Sequence, residues 1–157
     1  MTFGEIMFTK FKSLFLALAL LTVLPLTLKA ADAAASTEAE LATALADNTV
    51  TTVNIEDDFT VTAPHAISHE VTIKSNPPDG STVTQYTLSG GNGSSFFDIT
   101  SPTAKIDNLT LKEGKSTVVG QNSRGGAINI NVVTGPVTPT AISTITVSNV
   151  TFEDNRA

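Results

Sequence analysis

The sequence predicts an all-β domain: one chain wound into a coil of parallel strands, with a short helix ahead of them. Three observations carry this. Beyond residue 50 the chain turns abruptly to Thr, Val, Ile, Asn and Gly in short alternating runs, the pattern of half-buried strands punctuated by turns. Two of these runs repeat each other at a constant offset of 41 residues. Within each repeat the apolar spacing is broken once, at an asparagine.

The first thirty or so residues stand apart. Lys10 and Lys12 precede Ser13–Leu28, an apolar run of about sixteen residues interrupted by Pro25, and Ala31-Asp32-Ala33 follows. A basic start, a short apolar middle and a small-x-small exit describe a secretory signal peptide. The run is short for a membrane-spanning helix, and no basic cluster follows it. The expected leader is 1–33, with the cut after Ala33; Ala30 and Ala35 are close alternatives. The β domain then occupies 34–157.

That mature part holds six basic against thirteen acidic residues, a net charge near −7. This argues against nucleic acid as a partner, since phosphate binding needs clustered Lys and Arg. There is no cysteine, so an exported domain of this kind must be held by its own core or by stacking on more of itself.

The helix is expected over 37–47. Thr37 with Glu40 three residues later makes a capping box. Leu41 and Leu45 share one face, and Asp47-Asn48 makes a polar stop, Asn tolerating the left-handed conformation that ends helices. Strands follow in order through 50–157: VTTVNI, FTVTA, EVTIKS, QYTLSG, SFFDIT, KIDNLTLKEG, AINI and TITVSNVTFEDN.

The repeat is IDNLTLKEG (106–114) over VSNVTFEDN (147–155). Ile106, Leu109 and Leu111 match Val147, Val150 and Phe152. Inward side chains recur every second residue in a strand, yet here the spacing is three, then two. The extra residue is Asn108 or Asn149. Asparagine tolerates positive φ better than other non-glycine residues, so each is expected to bend the chain and restart a strand in phase. Gly114 and Asn155 occupy the end of the unit, and their exchange predicts a second left-handed corner there. VTIKSN (71–76) reads as a looser copy of the second half of the unit, with Asn76 in the place of Gly114. The competing architecture, a β-sandwich, lacks a clear hairpin turn between alternating strands.

Two tetrapeptides complete the pattern. Gly125-Gly126-Ala127-Ile128 combines a tight turn with a small residue that leaves room for the neighbouring coil. Phe152-Glu153-Asp154-Asn155 is expected to bury Phe152 in a pile of equivalent aromatic residues and to turn at Asn155. These residues resemble the Gly-Gly-Ala-aliphatic and Phe-x-x-Asn motifs of the polymorphic outer-membrane protein repeats, a family first named for chlamydial surface proteins. The resemblance implies a right-handed parallel β-helix of the pectate-lyase type, with the helix as its N-terminal cap. It also implies a surface or secreted location in a bacterium, associated with the outer membrane, and a role as an adhesin or autotransporter passenger. One copy of each motif is present, which suggests the N-terminal part of a longer β-helix, truncated at its C-terminus. The expected partners are an extracellular or host-surface ligand, protein or glycan, and further coils of the chain's own full-length form.

No catalytic, cofactor or metal site is expected. Glu56-Asp57-Asp58 reads as a solvated turn. Asp98 and Asp107 would need to lie on neighbouring coils to act as a hydrolase pair. His65 and His69 sit among strand-forming residues, where a four-residue spacing does not share a helical face. The alternative function is the front of a polysaccharide lyase or hydrolase, a chemistry the parallel β-helix also carries.

Overall fold

The computed structural model describes residues 30–77, 79, 81–82, 84–101, 103–116, 126–130 and 144–156. Gly125 and the first twenty-nine residues of the expected leader lie outside them. The described chain is mostly β, with one short helix and parallel sheets. It runs β1 (Ala31–Ala35), α1 (Glu38–Ala46), β2 (Val50–Ile55), β3 (Phe59–Thr60), β4 (His65–Ile67), β5 (Val71–Ser75), β6 (Tyr86–Ser89), β7 (Phe97–Ile99), β8 (Thr103–Asp107), β9 (Leu109–Lys112), β10 (Ile128–Ile130), β11 (Thr144–Ser148) and β12 (Thr151–Glu153).

Three sheets result. Sheet A has the order β1-β2-β5-β8-β11, sheet B β12-β9-β6-β3, and sheet C β10-β7-β4. From β2 onward the chain visits A, B and C in unchanging rotation, and every pairing is parallel. No hairpin-paired sandwich is formed by these strands. The inward positions stack in register. Val53, Ile73 and Ile106 form one fully buried column in sheet A. Leu88 and Leu111 continue a second in sheet B, and Ile67 and Ile99 a third in sheet C. Each such side chain contributes roughly 1.5–3 kcal/mol on burial, and the alternation of sheet-forming residues sets which ones turn inward.

The 41-residue repeat is a spatial one: Ile106 pairs with Val147 and Leu111 with Phe152. Residues 71–76, however, belong to the first half of the unit. Ile73 pairs with Ile106, while β6 is the counterpart of β9, placing Leu88 on Leu111. The segment between Ser75 and Tyr86 hides that register in the sequence, because an insertion shifts every alignment made across it.

The corners follow the prediction in part. Asn108 and Asn149 have φ of 54° and 52° and separate β8 from β9 and β11 from β12. The second left-handed residue is not Gly114 or Asn155 but the one before each: Glu113 at 56° and Asp154 at 51°. Gly114 and Asn155 serve a different need. The Asn155 side chain reaches back, its Oδ1 accepting from Gly114 N at 2.7 Å and its Nδ2 donating to Leu111 O at 2.7 Å. A Cβ on Gly114 would stand 2.6 Å from that Oδ1 and 2.7 Å from the Phe96 ring. The glycine therefore makes room for the Gly126 carbonyl, which stands closest of all, and for the asparagine of the following unit. Gly126 is likewise a site of close approach, where a Cβ would stand 2.6 Å from the backbone N of Arg156. Ala127 is buried and its carbonyl accepts from Phe96 N at 2.9 Å. Ile128 is partly buried beside Phe97.

Two strands went unpredicted. β1 is built from alanines and an aspartate, poor strand formers. β4 lies in a stretch holding Pro64 and two histidines. Helix α1 is as expected at its start: Glu40 N donates to Thr37 Oγ1 at 3.3 Å, and Ser36 N donates back to the Glu40 carboxylate at 2.8 Å. Leu41, Ala44 and Leu45 are buried. The stop is made by Asp47 in an extended conformation rather than by a left-handed Asn48; its Oδ1 accepts from Thr49 N at 2.9 Å.

The far end is open. Val147, Phe152 and Ile130 are 41%, 51% and 54% exposed, although Ile106, Leu111 and Ile99, their neighbours in register, are fully buried. Phe152 thus holds the expected inward register but is not buried, because β10, β11 and β12 are the outermost strands of their sheets. Among the described residues the expected aromatic pile does not form either. Phe152 lies over a leucine, and the ring contact present joins chain neighbours Phe96 and Phe97, 6.4 Å apart and tilted at 45°.

Candidate functional site

The outward positions of sheet B form two rows that run from strand to strand. Thr87, Thr110 and Thr151 make one; Thr60, Ser89, Lys112 and Glu153 make the other. Adjacent strands put such neighbours about 4.8 Å apart. Where the rows pass Asp58 and Glu113 they border an open groove of about 500 Å³, which Phe59, in the inward row and packed against the core, also touches.

Hydrogen bonds hold the groove's polar groups in place. Asp58 Oδ1 accepts from Thr87 N at 2.6 Å, tying the turn before β3 to β6. Glu113 Oε2 accepts from Ser89 Oγ at 3.1 Å, so the left-handed corner also aims its carboxylate along the row. Gln85 spans two strands: its Oε1 accepts from Thr110 Oγ1 at 3.1 Å and Thr151 Oγ1 at 3.2 Å, and its Nε2 donates to Asn149 O at 2.6 Å. The groove holds three carboxylates, of Asp58, Glu113 and Glu153, against one cation, Lys112. Carboxylates accept, hydroxyls do both and the ammonium donates. Such a lining can bind a hydroxyl-rich ligand from many directions.

None of the motif residues expected from the sequence lies in this groove. Gly114, Gly126, Ala127, Ile128, Asn108, Asn149, Phe152 and Asn155 all serve corners, close approaches or inward columns; Gly125 lies outside the described residues. The signal for the groove was present in the outward Thr and Ser of alternating strands. It went unread because threonine is also an ordinary strand former.

The acidic and histidine candidates separate. Asp98, in sheet C, accepts from Asn129 Nδ2 at 2.8 Å; Asp107, in sheet A, accepts from Ser148 Oγ at 2.7 Å and Lys105 Nζ at 3.0 Å. The Ser148 bond, then the Lys105 bond, hold the Asp107 carboxyl below its usual range. Glu56, Asp57 and Asp58 occupy the turn between β2 and β3, and Asp58 alone of them lines the groove. His69 Nε2 donates to Val50 O at 3.0 Å. His65 instead faces Glu38, with Nε2 3.5 Å from Oε1, too long for a well-formed hydrogen bond. Desolvation pushes the His65 pKa down, against the pull of Glu38. Glu38 is itself held low: burial works against the charge, but bonds from Thr62 N at 2.7 Å, Thr62 Oγ1 at 2.8 Å and Ala63 N at 3.2 Å outweigh it. This cluster fastens α1 to the segment after β3. Among the described residues no group of three or more His, Cys, Asp or Glu could hold a metal ion.

No protein-family model matches the chain, and comparison with curated proteins and with solved structures finds no match.

Proposed function

We propose that this chain is the N-terminal part of an exported right-handed parallel β-helix, of the polymorphic outer-membrane protein repeat type, whose role is to bind an extracellular ligand at the bacterial surface. The fold reading is supported by the fixed rotation through three parallel sheets and by the two asparagine corners. The membership rests on the Gly-Gly-Ala-Ile and Phe-x-x-Asn motifs. Further coils of the full-length chain are the natural cover for Ile130, Val147 and Phe152, which stand in inward register at the open end.

The observation that carries the binding role is the groove on sheet B. Asp58, Ser89, Thr110 and Glu113 are held by hydrogen bonds within and between strands, and the lining is polar apart from Phe59. A glycan suits that lining better than an apolar protein surface. The enzyme alternative loses its best carboxylate pair, since Asp98 and Asp107 belong to different sheets. The test is a glycan array probed with the purified chain, alongside Glu113→Gln and Thr110→Val. Binding that weakens in both variants supports the proposal. Wild-type silence on the array, or calcium-dependent degradation of pectin, would overturn it.

A further inference from the structure

We infer that the export cut falls between Ala30 and Ala31, so that all of β1 belongs to the mature protein. The inference rests on the reading of the N-terminal segment as a leader. The sequence alone favours a cut after Ala33, where Ala31 and Ala33 flank Asp32. The fold argues otherwise. Ala31, Asp32 and Ala33 pair with Val50, Thr52 and Val53 on β2, and Ala34 and Ala35 continue to Asn54 and Ile55. Ala31 and Ala33 pack against the core, and Ala35 is fully buried. Its carbonyl accepts from Glu56 N at 3.0 Å.

A cut after Ala33 removes three of the five β1 residues. It leaves the Val50–Val53 edge of β2 unpaired and takes away part of the surface on which α1 rests. A cut after Ala35 removes the strand entirely. Both move the outer edge of sheet A from β1 to β2 and remove alanines that pack against the core beneath α1. A cut after Ala30 leaves every pairing intact and keeps a small residue, Ala30, immediately before the scissile bond; Leu28 then stands three residues before the bond, where the later cut has Ala31, so the preference for Ala30 rests on the fold.

The chemistry suits the fold. Water adds across the Ala30–Ala31 amide; the leader departs with the Ala30 carboxylate, and Ala31 takes the new ammonium group. In the folded chain Ala31 N donates to Thr49 O at 3.3 Å. An ammonium carries three donors in place of one, so this bond survives the cut.

The experiment expresses the full chain with its own leader in a bacterium and measures the intact mass of the exported product. A mature chain beginning at Ala31 is expected. One beginning at Ala34 or Ser36 overturns the inference while leaving the leader reading standing; a chain retained uncut overturns both. Separately, purified chains beginning at Ala31 and at Ala34 are compared by thermal melting. The longer is expected to melt higher, or alone to fold, and equal melting temperatures would remove the structural reason for the cut and overturn it.

Discussion

Replacing Asn108 by glycine and by alanine separates two roles that its position combines. The backbone there is left-handed, with φ of 54°, and the side-chain Nδ2 donates to Thr84 O at 2.9 Å. Alanine loses the bond and must also adopt a conformation that costs an L-residue about 1–2 kcal/mol. The lost bond is exposed and contributes about 0.5–1 kcal/mol, so Asn108→Ala should destabilise by about 1.5–3 kcal/mol. Glycine loses the same bond but enters the left-handed region freely; its added cost is about 0.5–1 kcal/mol of backbone entropy. Asn108→Gly should therefore destabilise by about 1–2 kcal/mol. The gap of about 1 kcal/mol corresponds to roughly 3–6 °C in Tm for a domain of this size. Thermal and urea melts of the chain beginning at Ala31, followed by circular dichroism, measure it. Asn149→Gly and Asn149→Ala should reproduce the order more weakly, since that corner lies on the outermost strands. If alanine proves as well tolerated as glycine at Asn108, the corner does not depend on a left-handed residue and the account of the repeat fails.

The second corner gives a complementary result: Asp154→Gly should stabilise by about 0.5 kcal/mol by relieving a left-handed residue, whereas Gly114→Ala should destabilise by about 1–3 kcal/mol, because its methyl meets the Asn155 side chain and the Phe96 ring; urea midpoints decide both. In the sheet B column, Leu111→Ala should cost about 2–5 kcal/mol, while Phe152→Ala, at a half-exposed position, should cost about 1 kcal/mol, and similar losses at the two sites would show the open end to be covered in solution. Acidification should weaken the fold in two steps. The His65 pKa lies below its ordinary 6.5, so the unfolded chain takes up that proton first and stability falls as pH drops below about 6.5. Glu38 and Asp107 are held below their ordinary 4.5 and 3.8, so their contribution is present above those values and is lost in a second fall at lower pH. Urea midpoints against pH check this: His65→Gln should abolish the first step and keep the second.

The legible part of the fold was the part written in local chemistry. β-branched alternation marked β2, β5, β8 and β11, and asparagine marked the corners at 108 and 149, because a left-handed residue has few chemical solutions. Glycine is ambiguous by comparison. It permits positive φ, and it also permits close approach, and Gly114 uses the second property where the first was expected. The Gly126 carbonyl, the Asn155 side chain and the Phe96 ring, arriving from 12, 41 and 18 residues away, decide between them, and no local window contains those contacts. β1 was hidden for a related reason. Five residues of Ala and Asp have little strand preference of their own, and they are held extended by β2 and α1. The groove was invisible because its residues come from four strands and the turns beside them, and because outward threonine carries no mark of function.

The two ends of the molecule explain how such a chain can be stable at all. The inward residues of each three-strand circuit pack on one another and on the neighbouring circuits, so an outermost circuit loses part of that burial. At the first end the cost is offset twice. β1 pairs with the edge of β2, and α1 lays Leu41, Ala44 and Leu45 over the core. Glu38 then fastens the helix to Thr62 and Ala63. At the other end the described residues supply no equivalent cover, and three large apolar side chains stand in register with none of those residues above them. Asn155 still turns back to bond Gly114 and Leu111 in the circuit below. The last circuit is thus anchored by its corner as well as its apolar column. That division of labour lets Phe152 remain half-exposed without releasing β12.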